Sequence, residues 1–214
     1  ISQGGRGSEV TPAKLADMMI RLQEEGCVNI NIVSPTHIVP QLIRSIGIAV
    51  SRGFSVPIVY NSGGYDAVET LRLLDGIIDI YMPDAKYGSN DIAAALSRAP
   101  GYVDVMKDAL REMHRQVGDL VIADGIAVRG LLVRHLVLPD NLAGSDGILP
   151  WIAEEISKDT YVNIMDQYHP AGTVPENRGH NRFFALERSL FRNEYHHAIG
   201  FALRSGLHRG FPHL

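Results

Sequence analysis

The sequence predicts an α/β fold in which parallel strands form an incomplete (β/α) barrel. Amphipathic helix patterns alternate with short apolar runs along almost the whole chain. Five of these runs are each followed by a helix pattern, and right-handed crossovers would bring them together in one parallel sheet. Polar residues alternate with apolar ones in several runs, which favours a sheet curled around a polar space over an open doubly wound sheet.

The predicted elements follow one another as repeated strand and helix units. Thr11 is a suitable cap for the first helix, Pro12 suits its first position, and Gly26 suits its end. The predicted strands cover residues 28–33, 57–60, 77–82, 131–138 and 161–165. A long helix with Met106 and Leu110 on one face precedes the fourth of these strands.

The polar residues within the strands indicate what the sheet faces. Asn29 and Asn31 alternate with apolar neighbours in the first strand, as do Asp79 and Tyr81 in the third and Asn163 in the fifth. Strands that helices cover on both faces are usually continuous apolar runs. We therefore predict that one face of the sheet lines a polar space that holds a ligand.

A hairpin interrupts the pattern between the third and fourth strands. Asp124 and Gly125 lie between apolar runs at 120–122 and 126–128, and this dipeptide is a strong signal for a tight hairpin turn. We predict that the hairpin lies outside the main sheet.

Length and composition fit a single domain over residues 1–214, with 173–214 forming an irregular basic segment and a C-terminal helix. The chain is 45% hydrophobic and 21% charged, which is ordinary for a globular protein. Its net charge of -4 argues against a nucleic acid partner, and it has no apolar run of the about 20 residues that cross a membrane. Cys27 is the only cysteine, so we expect a reducing, cytoplasmic location and a buried thiol.

Polar groups occur at the end of every predicted strand, where parallel α/β folds bind ligands. Arg134 is the most informative of them, because a charge inside an apolar run must be paired or face a polar cavity. The other groups have simpler alternatives. Ser34 could cap a helix, residues 61–64 could form a plain turn or an anion cradle, and Asp84 with Lys86 could be an exposed ion pair.

Together these loops resemble the radical SAM superfamily, and in particular proteins similar to pyruvate formate-lyase activating enzymes. The resemblance covers essentially the whole chain, and it is the combination of motifs that is specific. The motifs are Gln3-Gly4-Gly5-Arg6-Gly7, Ser34-Pro35-Thr36-His37, Tyr60-Asn61-Ser62-Gly63-Gly64-Tyr65-Asp66, Tyr81-Met82-Pro83-Asp84-Ala85-Lys86-Tyr87, Arg134-His135 and Asp166-Gln167-Tyr168-His169-Pro170.

The resemblance implies two cofactors, S-adenosylmethionine and a [4Fe-4S] cluster. In this family a C-x-x-x-C-x-x-C loop binds the cluster, and S-adenosylmethionine chelates its remaining iron and yields a 5′-deoxyadenosyl radical. Ile1-Ser2-Gln3 matches the sequence that follows this loop, so we expect the first barrel strand and the cluster loop to be missing here. We therefore expect this chain alone to be inactive and to bind S-adenosylmethionine weakly. The implied partner is a glycyl radical enzyme or another protein substrate.

The resemblance also implies which residues bind S-adenosylmethionine. Ser34 and Thr36 stand where activating enzymes place a Gly-Gly-Glu segment near the methionyl amine. Asn61 stands at the position of an aspartate in the second loop, which also contains Gly63. In both places this sequence departs from the family pattern.

Lys86 and Arg134 match basic residues near the methionyl carboxylate, and His169 matches a histidine near the ribose. Two cations suit a carboxylate, and an imidazole suits hydroxyl groups. We therefore predict that Asn61, Lys86, Arg134 and His169 surround one hollow.

Two alternative functions stay open at this point. A metal-dependent hydrolase on an α/β barrel could use His37, His135, His169 and Asp84 as ligands. Against this, no H-x-H or H-E-x-x-H spacing occurs, and nearby cations would disfavour a metal. A non-catalytic nucleotide-binding module is the second alternative.

Overall fold

The computed structural model describes residues 7–172, 174 and 182–212, and within them the chain forms seven α-helices and six β-strands. The strands are β1 (Ile30–Val33), β2 (Ile58–Ser62), β3 (Ile80–Pro83), β4 (Val121–Ala123), β5 (Ile126–Leu136) and β6 (Tyr161–Met165). The helices are α1 (Pro12–Glu24), α2 (Val39–Val50), α3 (Val68–Arg72), α4 (Asn90–Ser97), α5 (Tyr102–Val117), α6 (Ser145–Glu155) and α7 (Arg192–Ser205). Short 3₁₀ helices cover Pro35–Ile38, Pro139–Asn141 and Phe184–Glu187.

The helices form where the sequence patterns predict them. Thr11 caps α1, because its hydroxyl accepts a hydrogen bond from the Lys14 N–H at 3.2 Å, and Pro12 occupies the first helical position. The apolar face of α5, with Met106 and Leu110, is fully buried. The separate helix α4 was not predicted.

The main sheet is parallel, with neighbouring strands in the order β1, β2, β3 and β5, and β6 also pairs with β5. This arrangement confirms the predicted α/β fold with a mostly parallel sheet. Within the described residues β6 does not pair with β1, so the sheet is not closed. Its curling into a partial barrel stays a prediction.

The prediction that the hairpin lies outside the main sheet is wrong. Asp124 and Gly125 form the expected turn, with φ values of 52° and 79°, but β5 then continues to Leu136. It pairs first with β4 in the antiparallel sense and then with β3 and β6 in the parallel sense. Gly130 allows this continuity, because at its φ of +119° a Cβ atom would lie 2.4 Å from the Asp119 carbonyl oxygen.

Two apolar clusters lie among the strands. The main core includes the fully buried Tyr60 and Tyr81, and a smaller cluster contains Val59 and Ile80. The polar face predicted for the third strand is therefore wrong at Tyr81. Its side chain packs in the main core, where the hydroxyl donates to Gln116 Oε1 at 2.6 Å.

The C-terminal segment is described in part. Of the stretch 173–188, the structure describes Val174 and residues 182–188, and α7 confirms the predicted final helix. Arg188 Nη1 lies 2.8 Å from Glu194 Oε2, and this guanidinium lowers the pKa of Glu194 to about 2. No helix among the described residues combines the length and the hydropathy needed to cross a bilayer.

Candidate functional site

Three of the predicted ligand residues meet at the C-terminal end of the sheet, around one carboxylate. Asn61 lies near the end of β2, Lys86 follows β3, and Arg134 lies in β5, so the strand order makes them neighbours. Arg134 Nη2 lies 2.6 Å from Asp84 Oδ1, and it also donates to Asn61 Oδ1 at 3.0 Å. Lys86 Nζ forms a salt bridge with the other carboxylate oxygen of Asp84.

This group carries a net positive charge, because two cations share one carboxylate. In the Asp84–Lys86 pair the lysine side chain is 42% exposed and the carboxylate is 15% exposed, and Arg134, which is 27% exposed, joins them, so the exposed pair considered above is only half right. Arg134 Nε is buried and has no hydrogen-bond partner within the described part of the chain. An unpaired buried donor costs free energy, so this atom is a local cost to the folded state.

The group borders a cleft of about 350 Å³. Asp84, Lys86 and Arg134 give the cleft its charge. The other residues that line it are Tyr87, Ser97, Leu136, Leu138, Met165 and Gln167. Charged donors beside apolar side chains suit a small ligand that has both a carboxylate and an apolar stretch.

Thr36 is engaged in a second polar network, which does not line the cleft. Its hydroxyl donates to Asp66 Oδ1 at 2.7 Å. The Tyr60 hydroxyl donates to the same oxygen at 3.0 Å, and the Ser62 hydroxyl donates to Asp66 Oδ2 at 2.6 Å. This buried carboxylate therefore ties the segment after β1 to β2, and the Thr36 hydroxyl stabilises the fold.

Ser34 lies beside the second loop without lining the cleft. Its backbone is left-handed, with φ at 54°, and its N–H donates to the Asn61 carbonyl at 2.8 Å. The backbone of Gly63 lies close to the Lys86 side chain, since a Cβ atom there would lie 3.7 Å from Lys86 Cε. The N–H of Gly64 donates to the Ser62 hydroxyl at 3.2 Å, so it is already used within the loop.

His169 is not brought into this group. The side chain is exposed, its Nδ1 lies 3.3 Å from the Gln167 carbonyl oxygen, and it does not line the cleft. Gln167 lines the cleft in its place. Of the four residues predicted to surround one hollow, Lys86 and Arg134 line the cleft, Asn61 contacts Arg134 without lining it, and His169 lies apart.

Among the described residues, the side chains considered as metal ligands do not come together. His135 is fully buried, its Nδ1 lies 2.7 Å from the Ala85 carbonyl, and its Nε2 lies 2.8 Å from the Ser145 hydroxyl. Both ring nitrogens are therefore occupied by hydrogen-bond partners inside the protein. In the described residues no three His, Cys, Asp or Glu side chains are grouped to hold a metal ion, and these residues include His37, His169 and Asp84.

Burial lowers the pKa of His135 below its ordinary value of 6.5, because the charged ring would lose its hydration. The unfolded chain therefore takes up a proton near pH 6.5, whereas the folded chain takes it up only at a lower pH. As the pH is lowered below about 6.5, we expect the free energy of unfolding to fall by up to about 1.4 kcal/mol per pH unit. The His135→Gln variant should lose this part of the dependence. Urea unfolding at pH 7.5 and 5.5 tests the difference, and equal slopes for both proteins would contradict it.

Several functional contacts were missed at the level of sequence. Asp84 is the centre of the cation group formed by Lys86, Asp84 and Arg134. The sequence suggests it only as an exposed partner of Lys86 or as a metal ligand. The sequence does contain a signal for this position: Asp84 and Lys86 are two residues apart, and residues with this spacing in extended backbone point to the same side. Tyr102, whose hydroxyl contacts the carbonyls of Gly63 and Asp84, had no such signal, because these partners are distant in sequence.

The residues of this chain do not fit a [4Fe-4S] cluster. Cys27 is the only cysteine, and one thiolate cannot hold such a cluster. It precedes β1, at the opposite end of the sheet from Arg134, and it is exposed rather than buried as expected. No chemical step through a cluster can therefore be assigned to these side chains.

Comparison with known proteins supports the fold and leaves the activity open. No protein-family model matches the chain. A crystal structure of HydG, described as a maturase of the [FeFe]-hydrogenase, aligns with 96% of the chain at a TM-score of 0.62 and 10% sequence identity. The chain therefore shares an α/β fold with HydG. It is also 29% identical over 179 residues, 82% of its length, to an uncharacterized protein of Methanocaldococcus jannaschii. The chain spans about half of either protein, 45% of HydG and 48% of the archaeal relative.

Proposed function

We propose that this chain is the S-adenosylmethionine-binding part of a radical enzyme similar to pyruvate formate-lyase activating enzymes. One observation carries the proposal: Asp84 holds Lys86 and Arg134 side by side at the cleft, where the family resemblance expects the methionyl carboxylate. The α/β fold shared with HydG supports the same assignment.

The charge balance of the group suits an amino acid ligand. Lys86 and Arg134 together exceed the charge of Asp84 by one, which a bound carboxylate would neutralise. The partly exposed Arg134 guanidinium offers donors for that carboxylate, and Asp84 offers an acceptor for a ligand ammonium group. Leu136, Leu138 and Met165 could contact the methylene and thioether part of the ligand.

These side chains would bind and orient the ligand, and the ligand would supply the radical chemistry. That chemistry also needs cluster-binding cysteines that this sequence lacks. A glycyl radical enzyme is the partner that we propose on the basis of the resemblance alone.

An NMR titration of the ¹⁵N-labelled chain tests this assignment. We expect S-adenosylmethionine to shift the amide signals of Asn61, Gly63, Lys86 and Arg134 in a saturable manner. Weak affinity is expected, because the cluster is absent. Shifts confined to a distant cavity, such as the one lined by Ile43, Phe54 and Ile77, would contradict the proposal.

A further inference from the structure

Tyr102 connects the two loops that carry the cation group. It is the first residue of α5 and is 2% exposed. Its hydroxyl oxygen lies 2.9 Å from the Gly63 carbonyl and 2.8 Å from the Asp84 carbonyl, and it accepts a hydrogen bond from the Lys86 N–H at 3.0 Å. Gly63 follows β2, whereas Asp84 and Lys86 follow β3. One side chain therefore holds both loops.

The hydroxyl has the right chemistry for this position. It carries one hydrogen to donate, which the two carbonyls share, and it has lone pairs to accept the Lys86 N–H. Burial raises the pKa of the Tyr102 phenol, so the group keeps its proton.

The ring of Tyr102 is fixed by its neighbours. It stacks on Tyr65 with ring centroids 5.9 Å apart, and it meets Tyr87 edge-on at 5.6 Å. A fixed ring gives the hydroxyl a fixed place between the loops.

We propose that Tyr102 is a positioning residue for carboxylate recognition. By anchoring the backbone of Lys86 and Asp84, it holds the Lys86 ammonium where it and the Arg134 guanidinium can reach the same ligand carboxylate. Tyr102 does not line the cleft, so it acts through these two residues. The inference rests on the proposed function and adds to it a residue that the sequence motifs do not include.

The test variant is Tyr102→Phe, which removes the hydroxyl and keeps the ring. The chain is titrated with S-adenosylmethionine and with its decarboxylated analogue. The dissociation constant of the analogue divided by that of S-adenosylmethionine measures carboxylate recognition. We expect the ratio to fall about fivefold to tenfold in the variant, in the range of one weakened charged contact. A merely structural defect would weaken both ligands alike and leave the ratio unchanged.

Tyr81→Phe is the matched control, because Tyr81 is also a buried tyrosine whose hydroxyl makes a hydrogen bond, but its partner is Gln116 and not the loops that carry Lys86 and Asp84. We expect this variant to keep the wild-type ratio. A second readout needs no ligand: hydrogen exchange at the Lys86 amide should speed up in Tyr102→Phe. Exchange at the Ala85 amide, which donates to the Arg134 carbonyl at 2.8 Å, should not change.

The outcomes separate the two claims. If Tyr102→Phe keeps the wild-type ratio of dissociation constants, or the wild-type hydrogen-exchange rate at the Lys86 amide, the positioning role is overturned and the proposed function is left intact. A wild-type protein that binds both ligands equally would overturn the proposed function, and with it the role of Tyr102.

Discussion

Replacing Gly64 with alanine is expected to destabilise this protein far more than the same replacement at Gly76. Both glycines have φ at +75°, so both variants carry the same left-handed backbone strain, about 1 to 2 kcal/mol. A Cβ atom at Gly64 would also lie 2.2 Å from the Asp84 carbonyl oxygen and 3.3 Å from the Tyr102 hydroxyl. Backbone in the β3 loop would have to move, so we expect a total loss of about 3 kcal/mol or more.

Gly76 is the internal control, because a Cβ atom there meets nothing within 4 Å. Urea unfolding followed by circular dichroism gives both free energies under identical conditions. The close contact between the two loops would be refuted if the variants agreed within about 0.5 kcal/mol. Because Asp84 is the residue displaced, Gly64→Ala should also weaken ligand binding in any protein that still folds.

Replacing Arg134 with methionine is expected to have the largest effect on ligand binding. The variant removes the guanidinium that contacts Asp84 and Asn61, while Lys86 still pairs with Asp84 and the fold is retained. A charged hydrogen bond is worth about 1.5 to 3 kcal/mol, so the affinity for S-adenosylmethionine should fall about tenfold or more. The decarboxylated analogue should lose much less, because it lacks the group that Arg134 contacts.

Arg129→Met provides a control for this result. Arg129 lies on the same strand, β5, but its guanidinium donates to the Gln116 carbonyl at 2.7 Å and does not line the cleft. Isothermal titration of both variants against both ligands compares the four affinities. Equal losses for Arg129→Met and Arg134→Met would exclude a specific role for Arg134.

Local patterns in the sequence were sufficient to predict most of the secondary structure. The periodicity of α5, the Thr11 cap and the Asp124-Gly125 turn depend on neighbouring residues, and the structure confirms all three. The continuity of β5 could not be predicted in this way. It depends on the approach of Asp119 to Gly130, which is a tertiary contact.

The orientation of strand residues was harder to predict than the strands themselves. Tyr81 was assigned to a polar face because its side chain has a hydroxyl, yet that group is satisfied by Gln116 inside the main core. Cys27 was expected inside because thiols are usually buried, but it lies exposed before β1. In both cases the environment is set by residues far away in sequence.

The sequence was sufficient to predict which residues form the candidate site, but only some of their contacts. Each strand end could be identified from the sequence, and parallel pairing explains why Asn61, Lys86 and Arg134 lie together. The central position of Asp84 required knowledge of the register, which brings Asp84 opposite Arg134. Thr36 and His169 lie in the expected loops, but Thr36 binds Asp66 and His169 is exposed outside the cleft.

The most direct test is the preference of the unmodified 214-residue chain for a ligand that carries a carboxylate. Because two cations flank Asp84, we expect the affinity for S-adenosylmethionine to be at least about tenfold higher than for the same molecule without its carboxylate. Titration calorimetry at fixed ionic strength measures both. Indistinguishable affinities would show that the cluster of Lys86, Asp84 and Arg134 only stabilises the fold.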